Sequence, residues 1–103
     1  MAISTIIDME TYFVYITTNI SHTVLYVGVT HDLIRRIFEH KQHMGSVFTK
    51  KYHVDHLVYF EQTSSVEVAI LREKQLKAGS RKKKIELIQK DNPLWKDLWE
   101  SIQ

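Results

Sequence analysis

Residues 12–29 read Tyr-Phe-Val-Tyr-Ile-Thr-Thr-Asn-Ile-Ser-His-Thr-Val-Leu-Tyr-Val-Gly-Val, and the reading of this stretch decides the fold. Tyr12–Thr18 and Thr23–Val29 are rich in Val, Ile, Tyr and Thr, side chains that fit a pleated, half-buried surface. Asn19, Ile20, Ser21 and His22 lie between them and include turn formers, so the two runs predict a β-hairpin. A four-residue turn pairs Thr18 with Thr23 and sets Tyr15 directly opposite Tyr26. Both phenols then share one face, because strand side chains alternate with a period of two. Two readings of that pair stand: an aromatic contact that stabilises the hairpin, or two hydroxyls offered to a ligand. Gly28 weakens a strand, and a glycine so placed marks close approach of a backbone or a ligand.

Working outward, Leu33, Ile34, Ile37 and Phe38 follow a helical period and predict a helix over Asp32–His43, with Thr30 and Asp32 as N-cap candidates. Arg36, His40 and His43 fall on one line of that helix, flanking the apolar stripe and bordering the core without joining it. Met44–Asp55 reads as a basic loop, and His56–Gln62, with Leu57, Val58, Tyr59 and Phe60, as a third strand. Ser64-Ser65-Val66-Glu67 has the form of a capping box, Ser64 at the N-cap and Glu67 three residues on, opening a helix to Ala78. Gly79 breaks it, Ser80 caps a further helix to Lys90, Asp91-Asn92-Pro93 is a stop, and Leu94–Ile102 closes the chain as a last helix. The order β-β-α-β-α-α-α predicts an α+β fold, a three-stranded antiparallel sheet with helices packed on it. No repeat or linker divides the sequence, so residues 1–103 are expected to form a single domain.

The chain is 44% hydrophobic and 25% charged, with three glycines and one proline, which is the profile of a globular protein rather than a disordered or fibrous one. No apolar run reaches the roughly 20 residues of a membrane span. The start, Met-Ala-Ile-Ser-Thr-Ile-Ile-Asp, has no basic segment of a secretory leader, so no membrane partner and a cytoplasmic location are expected. The absence of cysteine excludes disulfides and thiolate-bound metal. The net charge of +2 is unevenly spread, since Lys and Arg are absent before Arg35 and concentrated between Arg35 and Lys84. That middle segment is either a surface for a polyanion or a solvated basic face.

Two further features ask for chemistry. Glu73 projects from a helical face that also carries Val66, Ala69, Ile70 and Leu76, and a carboxylate there is costly unless paired or bound to a cation. The alternatives are a salt bridge to Arg36 or a lysine, or a helix that buries Val68 and Leu71 instead. With no cysteine to soften the site, a fitting metal is a hard, oxygen-preferring ion such as Mg²⁺ or Mn²⁺. Lys50, Lys51 and Tyr52, and Arg81, Lys82, Lys83 and Lys84, carry generic phosphate-binding chemistry, with Tyr52 also able to stack on a base.

Phe13-Val14-Tyr15, ten residues, Tyr26-Val27-Gly28, then a helix with Arg36 and His40 and a later helix with Glu73, together resemble the GIY-YIG nuclease superfamily. Asp32-Leu33-Ile34-Arg35-Arg36, Arg72-Glu73-Lys74-Gln75-Leu76-Lys77 and Asn92-Pro93-Leu94-Trp95-Lys96-Asp97-Leu98 are similar to stretches of its small stand-alone bacterial members. The resemblance implies a metal-dependent endonuclease acting on DNA, branched or single-stranded, targeted by DNA structure, a second copy or a partner protein. It implies Tyr15 beside the attacking water as base or relay, and Tyr26 at the scissile phosphate or that water. Arg36 would stabilise the transition state, His40 assist the relay, and Glu73 hold one divalent cation, with Lys50, Lys51, Tyr52, Lys77, Arg81, Lys82 and Lys83 binding nucleic acid. A phenol ordinarily titrates near pH 10, so a basic Tyr15 requires Arg36 and the ion to lower its pKa. Phe13 stands where the family name has glycine and adds bulk on the proposed face, and Asn92 has no assigned place in the site. A non-catalytic nucleic-acid-binding module is the alternative; a protein-interaction role for Trp95, Leu98 and Trp99 is a third, set against their closing the core.

Overall fold

The computed structural model describes residues 11–103, so the start of the chain, on which the leader reading depends, lies outside the described residues. Strands β1 (Tyr12–Thr18), β2 (Leu25–Thr30) and β3 (His56–Thr63) form one antiparallel sheet in the order β2-β1-β3, with β1 central. Among the described residues the helices are α1 (Leu33–Lys41), a short α2 (Val47–Tyr52), α3 (Val66–Ala78), α4 (Arg81–Asp91) and a terminal 3₁₀ turn (Leu98–Ile102). The α+β class and the element order are as the sequence leads one to expect, with α2 added inside the stretch read as a loop. Ser46 caps α2 by accepting from the Thr49 amide, and the left-handed His53 ends it. Among the described residues no helix is long and apolar enough to cross a membrane.

The hairpin register differs from the expected one. Thr18 pairs with Leu25 rather than Thr23, so Tyr15 faces Gly28 and Tyr26 faces Thr17. The cause is Asn19, whose Oδ1 accepts from the backbone amides of Thr23 and Val24 at 2.9 and 3.0 Å, drawing both residues into the loop. The shift is by two, so the two tyrosines keep a common face as diagonal neighbours. At the other edge Ile16 pairs with Tyr59 but Thr17 with Leu57, a bulge at Val58 that lets Val58 and Tyr59 both join one core layer.

β1 is buried on both faces, from Val14 to Thr18. One face packs Val14, Ile16, Val27, Val58 and Tyr59 against Ala69 and Leu76 of α3 and Ile88 of α4. The other packs Tyr15 and Leu57 against Leu33 and Ile37 of α1, with Leu98 and Trp99 of the terminal turn at the margin. Trp95 packs on the first layer and Trp99 on the second, so both indoles help to close the core.

Local signals shift slightly. The α3 cap is Ser65, one residue later than the capping box implies, and Asp32 caps α1. The expected last helix is shortened because Trp95 adopts a left-handed φ of 55° and Asp97 starts the turn by accepting from the Trp99 amide. Asn92 is a structural clamp. Its Nδ2 donates to the carbonyls of Val58 and Lys96 and its Oδ1 accepts from the Lys96 amide, tying α4, β3 and the chain end together.

Candidate active site

Tyr15 is 2% exposed, in the middle of the central strand. Its ring lies across Gly28, where any Cβ would overlap the ring carbon Cζ and the hydroxyl. The room that the glycine leaves is filled by the neighbouring phenol, not by a ligand. Tyr15 Oη is hydrogen-bonded to His40 Nε2 at 3.0 Å. The rings of Tyr15, Tyr26 and His40 form a triangle with centroids 5.7–6.4 Å apart.

His40 does not border the core as its helical line suggests. It is 4% exposed and continues the buried stripe Leu33, Ile37, His40, while Ile34 and Phe38 are half-exposed. His43 leaves the helix altogether, in a left-handed conformation with its ring against His53. Gly45 presses on the inner side of His40, where a Cβ would come within 2.8 Å of Nδ1. Nδ1 has no hydrogen-bond partner.

The electrostatics follow from burial. Desolvation, reinforced by the Arg36 charge, lowers the His40 pKa to about 4, against the weaker pull of Glu39 and Asp55. Burial likewise raises the Tyr15 phenol well above its ordinary value, with Tyr26, Glu73 and Glu39 adding to the effect. Arg36 does act to lower it, as expected from the sequence, but burial outweighs the guanidinium. At neutral pH the pair is therefore a neutral imidazole and a protonated phenol.

Arg36 lies one turn before His40, with its side chain 43% exposed and an ion pair to Glu39 at 3.4 Å. It lines a cleft with Thr30, His31, Asp32, Arg35 and Glu39. Glu73 continues the inward line of α3 between Ala69 and Leu76, which pack on the layer of Val14 and Ile16, and its charge reaches the Tyr15 phenol. Its side chain is 17% exposed and bonded to Lys77 at 3.2 Å, the lysine salt bridge among the alternatives above. Lys77 in turn lines a groove with Leu25, Tyr26, Val27, Phe48 and Lys84 that straddles the β2 edge. Tyr26 and Lys77, the partner of Glu73, are thus brought to one groove.

Among the described residues no three His, Asp or Glu side chains gather as a metal cage. A lone carboxylate nevertheless suits Mg²⁺ or Mn²⁺, which keep several waters and complete their shells with substrate phosphates. Glu73, set near the tyrosines and held by one exposed lysine, fits that role.

Phe13 lies two residues before Tyr15 on the same face of β1 and packs at the margin of its layer, towards the end of the strand away from Tyr26. It packs edge-on against Phe60 and pairs with Thr30, four residues along β1 from the partner of Tyr26, or about 13 Å. The basic residues divide. Lys50, Lys51 and Tyr52 lie on α2, Lys77 at the β2 edge, and Lys82 and Lys83 on the exposed first turn of α4. Arg81 donates to the carbonyl of His22 and is tied to the hairpin loop. Sequence reasoning missed Phe48, which stacks on Tyr26 at 6.1 Å and contacts Tyr52 at 4.8 Å. The signal was its spacing of four from Tyr52 behind the serine cap of α2.

Comparison with known proteins adds a family. A family model described as the GIY-YIG catalytic domain matches residues 11–86. UPF0213 proteins of Staphylococcus aureus strains Mu3 and N315 are each 36% identical over 80 residues, covering 78% of this chain and 96% of theirs. The solution NMR structure of the UPF0213 protein from Bacillus halodurans is similar with a TM-score of 0.54 and 29% identity, covering 84% of this chain and 92% of that one. Match, relatives and shared architecture agree, and the chain belongs to the GIY-YIG nuclease superfamily, alongside the small single-domain UPF0213 proteins.

Proposed function

We propose that the protein is an endonuclease that hydrolyses DNA phosphodiester bonds with one Mg²⁺ or Mn²⁺ ion, directed by DNA structure or a partner rather than by base sequence. The observation that carries this reading is the triangle of Tyr15, Tyr26 and His40, with the Arg36 charge acting on both Tyr15 and His40.

Each group then has a task. Arg36 exchanges its exposed pairing with Glu39 for two phosphate oxygens, which its planar fork holds bidentately. Tyr26 contacts the same phosphate. Tyr15 Oη, held by its hydrogen bond to His40 Nε2, accepts a hydrogen from the attacking water as the new P–O bond forms and passes its own proton to a phosphate oxygen. No free phenolate is needed, which accords with its buried setting. Lys77 releases Glu73, and a cation held there would neutralise phosphate charge and stabilise the leaving oxygen. Lys50, Lys51, Lys77, Lys82 and Lys83 supply salt-dependent attraction to the strand.

The test is cleavage of plasmid, flapped, branched and single-stranded DNA with Mg²⁺ or Mn²⁺ by the protein and by Glu73→Ala. Cleavage lost in the variant is expected; equal inertness of both over the panel sinks the reading. A non-catalytic nucleic-acid-binding module is the second reading, favoured by the lysine that occupies Glu73. It requires salt-sensitive binding that survives Glu73→Ala, without nicking.

A further inference from the structure

A row of rings leads from the candidate site to the surface: Tyr15 to Tyr26 at 6.4 Å, Tyr26 to Phe48 at 6.1 Å and 26° from parallel, and Phe48 to Tyr52 at 4.8 Å. The first ring is buried; the last two are 44% and 42% exposed. Neither outer ring belongs to the two core layers, although a short capped helix holds both in place. Large aromatic surface left in water beside a polar site is a feature of binding faces.

The charges beside the outer rings are lysines, one of them, Lys77, paired with Glu73. Lys51 Nζ lies 5.3 Å from the Tyr52 centroid, Lys50 is its neighbour on α2, and Lys77 and Lys84 line the groove shared by Tyr26 and Phe48. No acid lines that groove among the described residues. Aromatic faces interleaved with lysines complement a polyanion that also offers flat rings, and a nucleic-acid strand is such a ligand. In a duplex the bases are paired and turned inward, so a ring beside a phosphate reaches a base only when that base is unpaired.

We propose that Phe48 and Tyr52 are a stacking platform for an unpaired nucleobase next to the phosphate held at Tyr26 and Arg36. The substrate strand is thus one with at least one open base beside the cut. This rests on the nuclease reading for the phosphate's position, but the platform is measurable without chemistry.

The experiment is binding of a single-stranded oligodeoxynucleotide containing 2-aminopurine, and of its duplex, in EDTA, to wild type, Phe48→Ser/Tyr52→Ser and Phe48→Tyr/Tyr52→Phe. Wild type is expected to quench the fluorescence of the single strand. The serine variant should bind it about 10- to 100-fold more weakly without quenching, and duplex binding should barely change. The Tyr/Phe exchange keeps both rings and should behave as wild type, which separates stacking from folding. A folded serine variant with wild-type single-strand affinity overturns the platform, as does sedimentation showing a dimer that this variant splits while its DNA affinity is unchanged. Cleavage on the same DNA keeps the two ideas apart: cleavage with no effect of the rings overturns the platform alone, and ring-dependent quenching with no cleavage under Mg²⁺ or Mn²⁺ overturns the nuclease reading alone.

Discussion

The ring of Tyr15 lies across the bare Cα of Gly28, its cross-strand partner, and the space above that glycine is full. Gly28→Ala is therefore an overpacking substitution beside a buried phenol. It should cost about 1–3 kcal/mol and push the Tyr15 hydroxyl off His40. A thermal melt with an unshifted midpoint contradicts this.

The buried imidazole makes stability depend on pH. The folded pKa of His40, about 4, lies below the unfolded value near 6.5, so the unfolded chain binds the extra proton. The stabilisation is in full effect above about pH 6.5 and is lost as the pH falls towards 4. Between pH 7 and 4.5 wild type should lose on the order of 2 kcal/mol more than His40→Gln. Urea titrations at the two pH values measure the difference; parallel losses would remove His40 as the cause.

Asn92 fastens β3 to the chain end through three hydrogen bonds at 2.9–3.1 Å. Asn92→Ala leaves the Val58 carbonyl without this donor and should destabilise by about 2–3 kcal/mol. Because its hydrogen bonds go to Val58 and Lys96 and not to the tyrosines, DNA affinity of the folded variant should be unchanged. Weakened binding at full stability would instead place Asn92 in the site.

Arg36 is proposed to hold the phosphate in the transition state. Arg36→Ala should lower the single-turnover cleavage rate about 10²- to 10³-fold. Arg36→Lys should recover little of it, since an ammonium cannot form the bidentate fork. Stability should change little, because the Glu39 pair it breaks is exposed. A rate within a factor of two of wild type in either variant argues against the role.

Much of this was legible before the fold was known, and the gaps have physical reasons. Residue parity along β1 and β2 put Tyr15, Tyr26 and Gly28 on one face, and parity survives a register shift of two. The shift itself was hidden because one side chain, Asn19, decides the loop length. His40 was placed at the border of α1 by its helical line with Arg36 and His43 on the flank of the Leu33 and Ile37 stripe; the packed helix turns it inward, where its Nε2 pairs with Tyr15. Phe48 escaped because a helix of one and a half turns is too short to show a period. Glu73 was legible as an anomaly, but its partner Lys77 was one of several cations within reach.

The sheet has three strands, and its narrowness has a consequence. Tyr15 belongs to the layer on one side, α3 with Glu73 and Lys77 packs on the other, and a groove lined by Leu25, Tyr26 and Val27 of β2 brings Tyr26 and Lys77 together. A fourth strand laid against β2 would strengthen the sheet, yet it would wall Tyr26 from Lys77. In the proposed reaction, the edge that a more stable protein would cover is where both layers reach a single phosphate.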